Sequence, residues 1–414
     1  MLLKKQHKIT LLIFSVIAIL IGVFISFRLP DLQMKTSQAL AWFRMSLKPA
    51  GSLPTAEAKT IDQQSFWLPG LMSSDAEFIG ISSLSTPPQT KLELPISIVL
   101  PAPAFNPQQD YQDWNNCGPA TLALGLRYWG WQGDQFTISD LIRPKRSDKN
   151  VNIEELAGYV NQSTDELQAE VRMGGNVAAL EGLIAAGYPV IIEEAFTVEK
   201  SAWPGDDLWA GHYILLTGYD RQSQLFTAQD SYHGPDRQLA YSDVATAWQA
   251  FNHVYLVIFP TGDQPKIQQL LGTDWPLADN LMQTAAALQR LVISEQTNAF
   301  AWFNLGSSLT ALEEYASAVQ AFDKARALGL PARMLRYQFG PLVAAYHTGN
   351  QKDLNQLADY ALQITPDSEE ALLWKGWAYE LAGDHLSAIS LFNKALEANP
   401  GYQEAQKALT SVRP

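Results

Sequence analysis

Asn116 to Trp131 reads NCGPATLALGLRYWGW, and the organisation of the chain follows from this stretch. Asn116 is a good helix N-cap, and Pro119 is tolerated in a first turn. Ala120, Ala123, Leu124 and Tyr128 recur at helical spacing, and Gly130 suits a helix end. The run therefore predicts a helix that begins at Cys117. This is the single cysteine of the 414 residues, so an intrachain disulfide and a multi-cysteine zinc site are excluded. A lone cysteine is ordinarily a small buried core residue. At a helix start, however, the macrodipole and the unpaired amides favour its thiolate.

Working outward, Gln112 stands five residues upstream in YQDWNNCGPA. A side-chain amide there can fold back beside the sulfur and, with the Cys117 N–H, bind an oxyanion. Downstream, Ile153–Asn161 and Val177–Ala186 read as helices. Tyr188–Phe196, His212–Asp220, Leu225–Asp230 and His253–Pro260 then read as short strands bounded by turn residues. Helices followed by strands indicate an α+β domain, over residues 92–262. A nucleophilic cysteine needs a base. Of six histidines, His7 precedes the apolar N-terminal run, and His347 and His385 fall in the C-terminal third. His212, His233 and His253 remain. His212 stands where a loop enters an apolar strand, and Asp230 ends the next strand. A hairpin would return Asp230 to His212, where it would orient the imidazole. His233, in SYHGPD, reads as a turn residue, and His253 is the rival base. Asp206 and Asp207 read as a solvated loop, Trp203 and Trp209 as packing residues, and Gly174-Gly175 as a turn.

The run CGPATLALGLRYWGW, then GHYILLTGYD, then a strand ending in Asp, resembles the bacteriocin-processing, double-glycine cysteine peptidase family (family thirty-nine), in its stand-alone form. The resemblance implies a papain-like α+β peptidase domain. It implies Cys117 as nucleophile, His212 as general base and acid, Asp230 as its orienter and Gln112 as oxyanion donor. The family's glutamine usually sits one residue further from the cysteine, so Asn115, Asn116 and Gln109 stay open as donors. No GxxxxGK[ST] motif occurs, so ATP-driven export is not implied. No cofactor or metal is called for. An acyl transferase using the same site, and a non-catalytic peptide-binding scaffold, are the alternative readings.

The flanks complete the reading. Ile9 to Phe27 is an uncharged apolar run of 19 residues after Lys4, Lys5 and Lys8. This predicts a single membrane-spanning helix within an anchor over 1–29, with a cytoplasmic N-terminus and the body outside the cytoplasm. Secretion after cleavage of a signal peptide is the alternative. Residues 30–91, with SSLSTPPQT at 82–90, read as a linker, and so do residues 263–275. From 276 to 414 the chain reads as an all-α solenoid. Trp302, Leu305, Gly306, Tyr315, Ala318, Phe322 and Ala325 resemble a tetratricopeptide repeat. Gly376, Tyr379, Ala388, Phe392, Ala395 and Pro400 resemble another, with a degenerate unit between them. Such repeats imply a protein or peptide partner. The net charge of −13 and the lack of a basic cluster argue against nucleic acid.

Overall fold

The structure is a computed structural model that describes residues 53–55, 94–145 and 150–412. The anchor expected over 1–29 and nearly all of the linker expected over 30–91 lie outside the described residues. Among the described residues, no helix is long and apolar enough to cross a membrane.

The first part of the described chain folds around an antiparallel sheet. Its strands are β1 (Ser97–Val99), β2 (Leu167–Arg172), β3 (Val190–Thr197), β4 (Trp209–Asp220), β5 (Leu225–Asp230), β6 (Gly234–Ala240) and β7 (Tyr255–Pro260). They lie in the order β2-β7-β3-β4-β5-β6. β4 is long enough to take two partners on one edge: Trp209–Leu216 pair with β3, and Gly218–Asp220 pair with β1. A side chain at Gly218 would come within 2.7 Å of Ile98 O, so this crossing of strands needs a glycine.

Both faces of the sheet are covered, which explains the almost continuously apolar strands. Odd positions of β4 (Tyr213, Leu215), with Ile191, Leu256 and Ile258, pack on α2 (Cys117–Tyr128) and α4 (Ile153–Ser163). Helices α1 (Pro107–Asp110) and α3 (Gln135–Ile142) lie beside α2 in the chain. Even positions (Ile214, Leu216), with Val190, Ile192, Val257 and Phe259, pack on α5 (Val177–Ala185) and α6 (Tyr241–Trp248). The period of two puts alternate residues on opposite faces, and each fully buried side chain contributes about 1.5–3 kcal/mol.

Residues 263–275, expected to be a linker, fold instead. They contain α7 (Gln264–Leu271), which starts with a proline in its first turn and buries Ile267 and Leu271 in the sheet core. Helix α8 (Leu277–Ser294) follows. Its Asn280 exchanges hydrogen bonds with Met173, accepting from the Met173 N–H at 3.0 Å and donating to its carbonyl at 2.9 Å. The helix thereby fastens the C-terminal region to the sheet domain.

Helices α9 (Ala299–Ala311) and α10 (Tyr315–Leu328) form the first repeat. α14 (Glu369–Leu381) and α15 (His385–Ala398) form the last, and α16 (Gln403–Val412) follows it. A Cβ at Gly306 would meet the Phe322 ring at 2.7 Å, and one at Gly376 would meet Phe392 at 2.4 Å. The small residue of each signature therefore makes room for the ring of its partner helix. The middle unit, α12 (Gly340–His347) and α13 (Gln351–Ile364), has a short first helix, preceded by the one-turn α11 (Met334–Tyr337). Arg326 joins α10 to α13 by pairing with Asp353 at 2.9 Å, and its Nη1 donates to Pro54 O at 2.8 Å.

Candidate active site

The loop before α2 is built by Gln135, which is 2% exposed. Its Oε1 accepts from the Asp113 N–H and from Asn116 Nδ2, both at 2.8 Å. Its Nε2 donates to Gln109 O at 2.8 Å and Tyr111 O at 2.9 Å. Both lone pairs of Oε1 and both N–H groups of Nε2 are thereby used. Asn116 occupies the N-cap position of α2 but makes no side-chain capping bond, because its amide is turned to Gln135. The Gly118 N–H thus remains for the sulfur. Thr121 Oγ1 donates to Tyr213 O at 2.9 Å, locking α2 onto β4 one residue from His212.

Cys117 is half-buried. Burial pushes its pKa up, but the hydrogen bond and charge of His212, with backbone donors from Tyr213 and Gly118, bring the thiol below its ordinary value. The His212 ring is 1% exposed and lies within the strand, not at its start, because β4 begins three residues earlier than the sequence suggests. Phe196 covers the ring, with centroids 4.9 Å apart. Nε2 is bonded to Asp230 Oδ1 at 2.8 Å. Nδ1 is therefore the nitrogen left for the thiol. It meets no partner at full hydrogen-bond geometry among the described residues, so the Cys117 contact is looser than a formed bond. Burial lowers the His212 pKa, but Asp230 and then Cys117 outweigh it and hold the ring at about 10.

Asp230 ends β5, as expected, and carries more than one partner. It accepts from the Tyr232 N–H at 2.8 Å, the His233 N–H at 3.1 Å, His233 Nδ1 at 2.8 Å and Arg237 Nη1 at 3.2 Å. Burial alone would raise this carboxyl. The His212 bond and charge, with the two backbone amides, hold it well below the usual carboxylate range. His233 does sit in the turn, but its ring braces the carboxylate, a role the sequence reading missed. Glu194 pairs across the sheet with His212. Burial pushes its pKa up to about 7, with His212 opposing and Asp230 adding to the rise. Two glutamates inside the apolar run YPVIIEEAF were the available sequence signal.

The rival base lies elsewhere. The His253 ring packs edge-on against Trp248, 5.1 Å between centroids, and Trp248 belongs to the core on the sheet face away from α2. Burial lowers its pKa. Among the residues expected as oxyanion donors, Gln109 accepts from Asn106 at an exposed position, and the Asn116 NH2 donates to Gln135. Gln112 Oε1 accepts from Ser231 Oγ at 3.1 Å and the Gln112 N–H donates to Ser231 O at 2.8 Å, which leaves its NH2 as the free end of the side chain. Asn115 Oδ1 accepts from Arg336 at 3.0 Å. Asp207 accepts from the N–H groups of Trp209 and Ala332 at 3.1 and 2.7 Å, and Trp209 stacks on Phe251 at 5.7 Å. Residues Ser201–Asp206 form a tight turn of their own, in which Asp206 Oδ2 accepts from the Ala202 N–H at 2.7 Å. Among the described residues, no acidic, His or Cys cluster is suited to hold a metal.

A mixed α/β peptidase-like domain with a thiol, an imidazole and a carboxylate in sequence, followed by helical repeats, defines the class. Residues 100–256 match the Peptidase C39 like family, and residues 301–325 and 351–403 match tetratricopeptide repeats. The chain thus carries a C39-like peptidase domain followed by tetratricopeptide repeats. Solved structures similar to parts of it include one described as a C39-like peptidase from Bacillus anthracis, 16% identical over 39% of this chain and 97% of that one, with TM-score 0.31. Another is a double glycine motif protease from an AMS/PCAT transporter in complex with the leader peptide, 16% identical over 39% and 94%, with TM-score 0.28. A third is MamA from Desulfovibrio magneticus RS-1, 18% identical over 36% and 84%, with TM-score 0.30. No curated protein matches the chain.

Proposed function

We propose that the protein is a cysteine peptidase that hydrolyses peptide bonds through an acyl-enzyme. The observation that carries this reading is the chain of contacts from Cys117 through His212 to Asp230. Cys117 Sγ attacks the scissile carbonyl carbon. His212 donates its proton to the leaving amine, then takes a proton from water, whose oxygen displaces the thiolate and releases the acid. The Cys117 N–H and the Gln112 NH2 receive the oxyanion. Asp230 keeps the ring oriented and charged. The repeats recruit a protein or peptide partner. The apolar run 9–27, behind three lysines, anchors the body outside the cytoplasm.

The test is incubation of the full chain with a mixed peptide pool, followed by mass spectrometry of the products, for wild type and Cys117→Ala. New fragments from the wild type alone are expected. Equal cleavage by both proteins, or an intact pool beside a Cys117 that alkylates like an ordinary thiol, would sink the proposal.

A further inference from the structure

The loop that presents Cys117 is held from two directions. Gln135 holds it from within the peptidase domain. Arg336, on α11 in the repeat region, reaches it across 221 residues of sequence and donates from Nη2 to Asn115 Oδ1 at 3.0 Å. Asn115 lies two residues before the nucleophile and has φ 51°. That left-handed conformation is unfavourable for a residue with a Cβ, although asparagine tolerates it better than most. A guanidinium can only donate, so the amide oxygen must face Arg336 and Nδ2 must turn away. Nδ2 is buried and meets no acceptor among the described residues. Arg336 therefore supplies the hydrogen bond that holds this side chain.

The same short helix touches the strand that carries the base. Arg333 Nη1 donates to Trp209 O at 2.8 Å, at the first residue of β4. Tyr337 packs edge-on against both Trp209 and Phe251, at 5.7 and 5.9 Å. The Arg336 guanidinium lies over the Tyr337 ring at 5.2 Å, which seats it for the reach to Asn115. One turn of helix from the repeat region thus contacts the turn that sets Cys117 and the strand that sets His212.

We propose that Arg336 is a positioning residue: its bond to Asn115 fixes the turn that aims Cys117 at His212, so the repeat region completes the thiol–imidazole pair of the peptidase domain. The proposal rests on the peptidase reading above. Without the bond, Asn115 relaxes toward extended backbone, and the first residue of α2 moves with it.

The test uses the full chain and iodoacetamide alkylation of Cys117 as a function of pH, with thermal unfolding beside it. Arg336→Met is expected to lower the rate at pH 7 about tenfold and to raise the apparent thiol pKa by about one. Arg336→Gln keeps an N–H donor without the charge, and should recover most of the rate. Should Arg336→Met fail to fold, Asn115→Ala removes the acceptor while keeping the guanidinium packed on Tyr337, and should show the same loss. A variant profile superimposed on the wild type overturns the positioning role and leaves the peptidase reading standing. So does a Gln variant as slow as Met. An ordinary thiol profile in the wild type itself overturns both.

Discussion

Replacing Asp230 with asparagine keeps the shape of the side chain and removes its charge. The consequence can be worked from His212. Its ring is held at about 10 against an ordinary 6.5, a preference for the charged form on the order of 5 kcal/mol at about 1.4 kcal/mol per pH unit. Asp230 and the Cys117 thiolate share that preference, with the Asp230 hydrogen bond the largest single contribution that raises it. With half assigned to Asp230, its loss weakens the thiolate–imidazolium pair by about 2–3 kcal/mol, or roughly 30- to 150-fold in the ratio of ion pair to neutral pair. Because Cys117 is the single thiol of the chain, alkylation reports this fraction without knowledge of the substrate. Asp230→Asn should alkylate far more slowly at pH 6–7, and its profile should rise near pH 8.5 as for a free cysteine. An Asp230→Asn profile that overlays the wild type, in a protein with unchanged thermal unfolding, would refute the reasoning that the carboxylate sustains the pair.

Two further outcomes follow from the site. Glu194 ionises near 4.5 when unfolded and near 7 when folded. The folded state holds the extra proton between those values and loses stability as pH rises through them, and the charge formed near 7 supports the His212 cation. Glu194→Gln should remove an inflection near pH 7 from the alkylation profile and flatten the stability change between pH 4.5 and 7; an unchanged inflection would assign it to another group. Gln135→Leu strips partners from the Asp113 amide, two carbonyls and Asn116. At about 1–3 kcal/mol for each buried group left unpaired, and with water reaching some of them, a loss of about 2–4 kcal/mol is expected in urea unfolding. A change under about 0.5 kcal/mol, the range of ordinary surface substitutions, would contradict the role of this amide.

The features most legible in the sequence were those that repeat or follow local chemistry. The helix opening at Cys117, the strand ending at Asp230 and the Gly–Phe pairs of the first and last repeats could all be read from local sequence. His212 and Asp230 could be paired because a hairpin brings the end of one strand back to its neighbour. Residues whose roles depend on distant partners were not legible. Gln135 looks like an ordinary helix-start residue until the chain folds and four groups from residues 109–116 converge on it. His233 reads as a turn residue because its hold on Asp230 is a matter of ring orientation. The polar composition of 263–275 suggested a linker, yet Ile267 and Leu271, four apart on α7, suffice to bury one face of a helix. Nothing local in Arg336 announces a partner 221 positions away.

That distance has a consequence in time. At the usual ~5–20 residues per second of synthesis, Asn115 leaves the ribosome roughly 10–45 s before Arg336 does. From the end of β7 at Pro260 until Arg336 emerges, roughly 4–15 s at that rate, the sheet, the cysteine and the histidine can all be present while the turn before Cys117 lacks its distal tether. On the positioning role proposed for Arg336, a nascent chain is a poorer thiol reagent than the finished one. Under that proposal the activated thiol forms only when the repeats arrive, so the order of synthesis delays its reactivity.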